Sequence, residues 1–560
     1  MTDIATNDES GADRVRVLAP FTVPIFRALW IAALVSNIGS WMQTVGAQWF
    51  LIEEQSSPLL IALVQTASSA PVLLLGIPAG VLGELLNRRR LLIWVQGAQV
   101  VISAGLVALT AAGEMTSYLL LVLTLLLGAA SAVQLPAYEA ISAEIVPAPM
   151  IPNAASLSAI SVNLARAIGP AVAGLLLSSL GVAFVFGLNL ASFGVFLVVL
   201  IGWRSYRPGG HEPERFVDAT RAGMRYVSHS GVIRRLFVRL GLFVVPGSVL
   251  YALLPLVATD RLGVDSAGYG VLLAGLGAGS VAAAFVAPML RDRIGENVTV
   301  LLSSAVFGAG TLTVALSSSI AVTLPVLAVV GAAWIGVVAT VNGVVESFLP
   351  VWVRARGLSI YQMVFFGALA LGAVVGGGIA SWTGAPATIA AAGALVILVA
   401  ASQLRWPLLP TAEKRRLTVP FPLGPDGGAD VDPLGQTLVL VRYEIPEEDR
   451  TVFVEQMRLV EHSRRRTGAR TWTLYQDRES PSHLVEVFGV GSWQEHLQQH
   501  TSRPTQYDDE TIRSASALAT RVDVHHLIQV GRTRIAVPVT PTEIPRRHPQ
   551  KENRHDHHHH

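Results

Sequence analysis

Residues 357–404 read GLSIYQMVFFGALALGAVVGGGIASWTGAPATIAAAGALVILVAASQL, 48 residues without one Asp, Glu, Lys or Arg. As a single helix this stretch would run roughly 70 Å, more than twice the ~30 Å hydrocarbon core of a bilayer. It must therefore fold back, and Gly384-Ala385-Pro386 marks the turn. The stretch reads as two membrane-spanning helices. Charge-free runs recur at 55–83, 91–113, 115–138, 167–203 and 297–345. Together they give twelve spans: 27–52, 58–83, 91–112, 117–136, 154–180, 182–203, 234–259, 267–290, 297–317, 321–345, 357–382 and 385–405. Gly and Pro inside them are tolerated, because neighbouring helices satisfy the freed backbone groups.

Composition sharpens this reading. Only 14% of the 560 residues are charged, against about 25% in a typical soluble chain. Residues 1–406 carry 21 basic and 18 acidic residues, and the much shorter 407–560 carries 20 and 21. A membrane part is thus followed by a water-soluble part. The absence of Cys excludes a disulfide scaffold, thiolate metal sites and iron–sulfur clusters. A net charge of +2 gives no sign of a nucleic-acid partner.

Basic residues set the orientation. Arg88–Arg90, the Arg204–Arg239 cluster, Arg291, Arg293, Arg354, Arg356 and Arg405 all lie at one end of the spans. The opposite loops hold one basic residue, Arg261, and the acids Glu53, Glu54, Glu114, Asp260 and Asp265. By the positive-inside rule both termini face the cytoplasm.

The two sets of six spans repeat. An offset of 203 residues places Gly128 on Gly331, Pro147 on Pro350, Gly169 on Gly372, Gly174 on Gly377 and Gly181 on Gly384. Nearer the front of each half the offset is 208, and Gly39–Ser40 fall on Gly247–Ser248. Two six-helix halves joined by a long basic connector are the plan of a secondary transporter with a midplane site. The expected organisation is an N-terminal tail (1–20, disordered and no signal peptide), a first half (21–203), an amphipathic cytoplasmic connector (204–233) and a second half (234–406). A Pro/Gly linker (407–436), a small α+β domain (437–528) and a disordered His-rich tail (529–560) follow. The fold class is therefore an all-α polytopic membrane protein with a soluble appendage.

Three segments of residues 20–406 resemble the major facilitator superfamily, and most closely its secretion effector branch of enterobactin and drug exporters. The loop after span 2, Gly80-Val-Leu-Gly-Glu84-Leu-Leu-Asn87-Arg88-Arg89-Arg90, is similar to the superfamily's signature loop. It has Glu84 for the usual Asp, Leu85 for the Arg and Asn87 for the Gly. The second copy keeps Asp292-Arg293-Ile-Gly295. Span 5 carries Arg166-Ala-Ile-Gly169-Pro170-Ala-Val-Ala-Gly174, similar to the Gly-Pro motif of exporters. The resemblance implies export of amphiphilic, siderophore- or drug-like small molecules by alternating access, with proton antiport. It also implies that Gly169, Pro170 and Gly174 block ion leak. Span 4 lacks the Arg of many drug–proton antiporters.

Arg166 is the deepest charge in the membrane part. A buried guanidinium cannot shed its proton, so it needs a carboxylate, carbonyls or water. It reads either as a cavity-facing cation or as a structural Arg. Glu139, Glu144 and Glu346, near the basic ends of spans 4 and 10, are candidate proton carriers, with interfacial pairing as the competing reading. Glu84 with Arg88, Arg89 and Arg90, mirrored by Asp292 and Arg293, forms a candidate gate latch beside plain lipid anchoring. Asn37, Gln43, Gln48, Asn163, Asn189 and Asn342 either line a cavity with Trp41, Trp49 and Tyr361 or bond between helices.

Residues 437–528 pattern as βαββαβ, a ferredoxin-like sheet. They resemble the antibiotic-biosynthesis-monooxygenase-like dimeric αβ-barrel domains, most plainly at Ser492-Trp493-Gln-Glu-His496-Leu-Gln-Gln-His500. The resemblance implies a homodimer through this domain. His496 and His500 read as surface histidines, with a metal pair as the competing reading, and no cofactor or metal is expected. Two other functions stay open: an enzyme or sensor tethered to a degenerate transporter, and a lipid flippase.

Overall fold

The computed structural model describes residues 18–204, 216–409, 436–501 and 506–529. Nearly all of the N-terminal tail, the Pro/Gly linker and the His-rich tail lie outside these residues. Eleven helices among them are long and apolar enough to cross a membrane. They are α1 (Pro24–Glu53), α2 (Pro58–Leu85), α3 (Arg88–Ala111), α4 (Ser117–Glu144), a long helix Ile151–Gly202, α8 (Gly231–Asp260), α9 (Ser266–Ile294), α10 (Glu296–Leu316), α11 (Ile320–Phe348), α12 (Val351–Thr383) and α13 (Ala385–Arg405). The long helix breaks at Gly181, with φ 77° and ψ 175°. Its two arms, 151–180 (α5) and 182–202 (α6), are the fifth and sixth of twelve spans. The connector helix α7 (Phe216–His229) leads into α8, so spans 7–12 are α8–α13.

Local chemistry sets the starts. The Ser57, Asn87, Thr116 and Asp265 side chains accept from the amides of Leu60, Arg90, Leu119 and Gly268, capping α2, α3, α4 and α9. Asn87, at the signature loop's last glycine position, is thus a helix cap. Apolar side chains face outward without protein cover: Trp382 is 93% exposed, Phe285 80% and Trp94 79%. Such a surface is stable only against lipid.

The repeat holds in three dimensions. Gly181 and Gly384 (φ 82°) are the left-handed turns that reverse the chain at matching points of the two halves. Pro147 and Pro350 share φ −56°, with ψ 145° and 150°. A Cβ on Gly128 would meet the Ala67 carbonyl of α2, and one on Gly331 the Leu276 carbonyl of α9. Gly169 lies against Trp41 and Ile38 of α1, and Gly372 against Val245 and Ser248 of α8. Gly174 meets Gly270 of α9 in the other half, and Gly377 meets Ala62 of α2 in the other half. Each pair makes the same close approach with the halves exchanged.

The soluble part is a four-stranded antiparallel sheet of β1 (Thr437–Glu444), β2 (Thr471–Gln476), β3 (His483–Val490) and β4 (Arg521–Ile528) in the order β2-β3-β1-β4. Helices α14 (Arg450–Thr467), α15 (Trp493–Thr501) and α16 (Gln506–Ser516) complete the ferredoxin-like order. Val439, Val441 and Tyr443 alternate into a core with Phe453, Met457, Val460, Leu484 and Phe488. Glu486, fully buried among them, accepts from Tyr443 Oη (3.0 Å), Arg464 Nε (3.1 Å) and Trp472 Nε1 (2.9 Å). One histidine expectation is corrected. His496 is 1% exposed, packed against Trp493 and His526, with its Nε2 3.3 Å from that of His500. Burial holds the imidazoles of His496 and His500 down at about 3 and about 4, so both are neutral at physiological pH.

Candidate transport pathway

Arg166 lies fifteen residues from Ile151 and fifteen from Gly181, midway along α5. That is about 22 Å from either end. Its guanidinium stands over the Trp41 ring of α1, 5.5 Å from the centroid. Tyr251 of α8 and Tyr361 of α12 lie within electrostatic range. These two tyrosines belong to the second half, so the cation of one half lies near aromatics of the other. Among the described residues no carboxylate pairs with Arg166, and its Nε has no hydrogen-bond partner. The carboxylate that the sequence invites as its partner is therefore not one of these.

An aromatic cluster continues from this point into the second half. Trp334 packs edge-on to Tyr251 (5.0 Å) and against Phe243, Phe307 and Phe365, and Tyr361 stacks on Phe365 at 6.3 Å. Tyr361 donates to the Val338 carbonyl at 3.3 Å. A cation over a ring face, beside an aromatic cluster and in a medium where charge is costly, favours a ligand with a negative head and an aromatic body. Tyr251 and Trp334 escaped the sequence reading, because Tyr251 comes near Arg166 only when the halves pack, and Trp334 joins it only through packing on Tyr251. The available signal was the presence of aromatic residues in spans 7 and 10.

The candidate proton carriers separate. Glu144 pairs with Arg88 of α3 at the basic end, not with Arg166. Glu139 and Glu346 are exposed near the basic ends of α4 and α11. The latch residues separate as well. Arg89 donates to the Leu200 and Ile201 carbonyls at 2.9 and 3.0 Å, closing the C-terminus of α6 within its own half. Arg90 is exposed, and the Glu84 side chain lies outside the described residues. In the second copy Asp292 is 76% exposed, with Arg291 3.9 Å from it, and Arg293 is exposed. Arg291 also reaches Gly343 of α11.

Contacts between the halves are made at the acidic end and continue past the middle of the α2–α12 seam, where Gly76 meets Met363 and Gly367 meets Leu73. The Tyr269 hydroxyl of α9 donates to Gln48 of α1 at 3.1 Å, and its ring stacks on Trp49 at 6.0 Å. The Trp49 indole donates to Glu53 at 2.9 Å. Gly174 against Gly270 and Gly377 against Ala62 bring α5 to α9 and α12 to α2 near the same end. Thr66 donates to the Ala370 carbonyl, 3.1 Å away, along the α2–α12 seam. Gln48 and Trp49 thus close one end instead of lining a midplane cavity. Gln43 and Asn189 bond to each other between α1 and α6.

Residues 15–534 match the family described as transmembrane secretion effector. The chain belongs to that family. A staphyloferrin A transporter of Staphylococcus aureus is 25% identical over 281 residues, 48% of this chain and 68% of the relative. The multidrug efflux pump Tap of Mycobacterium tuberculosis is 24% identical over 403 residues, 69% of this chain and 94% of the relative. The enterobactin exporter EntS of Shigella boydii is 23% identical over 283 residues, 50% and 68% of the two chains. Among solved structures, a bacterial homologue of the human lysosomal transporter Spinster, inward-facing and unoccupied, superposes with TM-score 0.55 at 15% identity, covering 67% of this chain and 95% of that one. The nucleoside transporter NupG superposes with TM-score 0.54 at 11% identity, covering 68% and 98%. The fold is that of major facilitator transporters, and this secretion effector is a multi-pass membrane transporter of small molecules, not an enzyme.

Proposed function

We propose that this secretion effector exports amphiphilic aromatic molecules, of siderophore or drug type, by proton antiport from the basic side to the acidic side of a bacterial cytoplasmic membrane. The observation that carries the reading is the Arg166 guanidinium over Trp41, near Tyr251 and Tyr361 of the other half. The distribution of Arg supports a cytoplasmic basic side, with both termini inside. The contacts at the acidic end support an outer seal between the halves. Glu139 and Glu346 serve as proton carriers, and Gly169, Pro170 and Gly174 keep the seam tight during exchange. In cells loaded with a fluorescent amphiphilic substrate, a protonophore is expected to abolish efflux within minutes. Efflux that continues unchanged after the proton gradient collapses contradicts antiport.

The open face of the soluble sheet supports pairing with a second copy. Leu438, Leu527 and Tyr475 are 36%, 51% and 55% exposed there, beside the half-buried Leu440, Val485 and Val487. Sheets rarely leave such a face to water. The double substitution Leu438→Asp with Leu440→Glu is expected to convert the detergent-solubilised full chain from dimer to monomer by light scattering. A native chain that is already monomeric refutes the pairing.

A further inference from the structure

The repeat between the halves sets residues of unlike chemistry on one another at one place. The offset of 208 brings Arg88, the start of α3, onto Glu296, the start of α10, and the offset of 203 brings Ser117 of α4 onto Ile320 of α11. Under these offsets Gln99 falls on Phe307 and Ser131 on Trp334. Each pair is in contact within its own half. Phe307 and Trp334 pack ring against ring, 5.6 Å between centroids. Gln99 Nε2 donates to Ser131 Oγ at 3.2 Å. Gln43 likewise falls on Tyr251, and Ser158 on Tyr361. The aromatic cluster of the second half thus has a polar counterpart in the half that carries Arg166.

This counterpart is open where the aromatic cluster is filled. Leu120, Thr124, Leu127 and Ser131 recur at helical spacing and form one stripe of α4. The first three are 0%, 4% and 6% exposed, and Ser131 is exposed. The face that α4 otherwise buries therefore opens at Ser131, in the place that buried Trp334 fills in the second half. Ser131 lies fourteen residues from Ser117 and thirteen from Glu144, about 20 Å from either end, which is the level of Arg166. Behind it Gln99 is fully buried, and its Oε1 has no hydrogen-bond partner among the described residues. Turned either way, the Gln99 amide makes one bond with Ser131 and leaves a donor and an acceptor of the pair unmet. Gln96 and Ser103, on the same side of α3, also have buried polar atoms without partners. Such groups are costly in a membrane. Phe307 and Trp334 demonstrate that the scaffold accepts apolar side chains here, so packing alone does not call for the polar ones.

We propose that Ser131 is a specificity-determining contact of the transport site. Its hydroxyl bonds an oxygen substituent, a hydroxyl or a carbonyl, carried by an aromatic anionic substrate, and Gln99 is the positioning residue that holds it from behind. The proposal rests on the reading of Arg166 as the binder of such an anion. The substrate then lies across the two halves. Its charged head and oxygen substituent meet the first half, and its rings lie toward Tyr251 and the Trp334 cluster of the second. Ser131 thereby separates oxygenated aromatic acids from bare ones.

The test measures efflux of fluorescent naphthoates by the full chain in loaded cells: 2-naphthoate, 3-hydroxy-2-naphthoate and 6-hydroxy-2-naphthoate. These anions differ only in the hydroxyl. The native chain is expected to half-saturate at a concentration roughly three- to tenfold lower for at least one hydroxynaphthoate than for 2-naphthoate, the yield of one neutral hydrogen bond. Ser131→Ala is expected to bring the ratio of the two half-saturating concentrations to one. Ser131→Thr keeps the hydroxyl and is expected to keep the ratio. Gln99→Met keeps the length, removes the amide and is expected to shrink the ratio. A native chain that exports all of them with equal half-saturation overturns the proposal and leaves the reading of Arg166 standing. So does a ratio that survives Ser131→Ala, whatever the rates themselves do. A native chain that exports none of the naphthoates contradicts the reading of Arg166, and the proposal falls with it.

Discussion

Arg166→Gln is expected to lower efflux of an anionic aromatic substrate by roughly ten- to hundredfold, with the protein still present in the membrane at its normal level. The range follows from removing one charged partner of a buried hydrogen bond, about 1.5–3 kcal/mol. The guanidinium lies midway along α5, and no described carboxylate neutralises it. Its charge is therefore available to a ligand. Arg166→Lys keeps the charge but loses the planar fork and its stacking on Trp41, so an intermediate loss is expected. Trp41→Ala is expected to raise the half-saturating substrate concentration more than it lowers the maximal rate, since it removes ring contact and leaves the charge. Initial efflux rates over a range of internal substrate concentrations check all three. Full activity of Arg166→Gln contradicts the assignment of Arg166 to the pathway.

The second large effect concerns the seam between the halves. Gly174 and Gly270 touch backbone to backbone, and a Cβ on either would overlap the other. Gly174→Leu is expected to prevent closure of the acidic end and to reduce transport at least tenfold. Overpacking a tight contact typically costs about 1–3 kcal/mol, and here that cost falls on one of the two states the cycle requires. Gly377→Leu, at the equivalent point of the other half against Ala62, is expected to do the same. Gly194→Leu is the control, because a Cβ there meets nothing within 4 Å. Transport assays of the three variants at equal expression decide the matter. Equal losses in all three mean that the effect belongs to folding and not to the seam.

Much of the fold was legible because lipid imposes it residue by residue. A 48-residue charge-free run has to turn, and Gly384 turns it at φ 82°. The equivalence of Gly181 and Gly384 was readable as an offset of 203 residues, and the shared left-handed conformation is its physical cause. The alternating Val439, Val441 and Tyr443 announced a strand with one covered face. What stayed hidden was set by contacts between distant segments. Arg89 looks like any positive-inside arginine, yet it closes the end of α6 more than a hundred residues away. Glu144 looks equally suited to Arg166 and to a basic loop, and only packing assigns it to Arg88. His496 sits in a polar run that reads as surface, and α15 turns it inward onto Trp493 and His526. Tyr251 and Trp334 carry no motif at all; the second half brings Tyr251 near Arg166, and Trp334 packs on Tyr251.

The chain contains no Cys, so paired labels can be placed without background. Glu54 and Asp260 are exposed at the acidic ends of α1 and α8, and Arg90 and Arg293 at the basic ends of α3 and α9. Spin-label distances between Glu54→Cys and Asp260→Cys, and between Arg90→Cys and Arg293→Cys, test alternating access most directly. Acidification or substrate is expected to lengthen one distance while shortening the other, each change being of several ångströms. Two distances that stay fixed, or that lengthen together, contradict a rocking exporter.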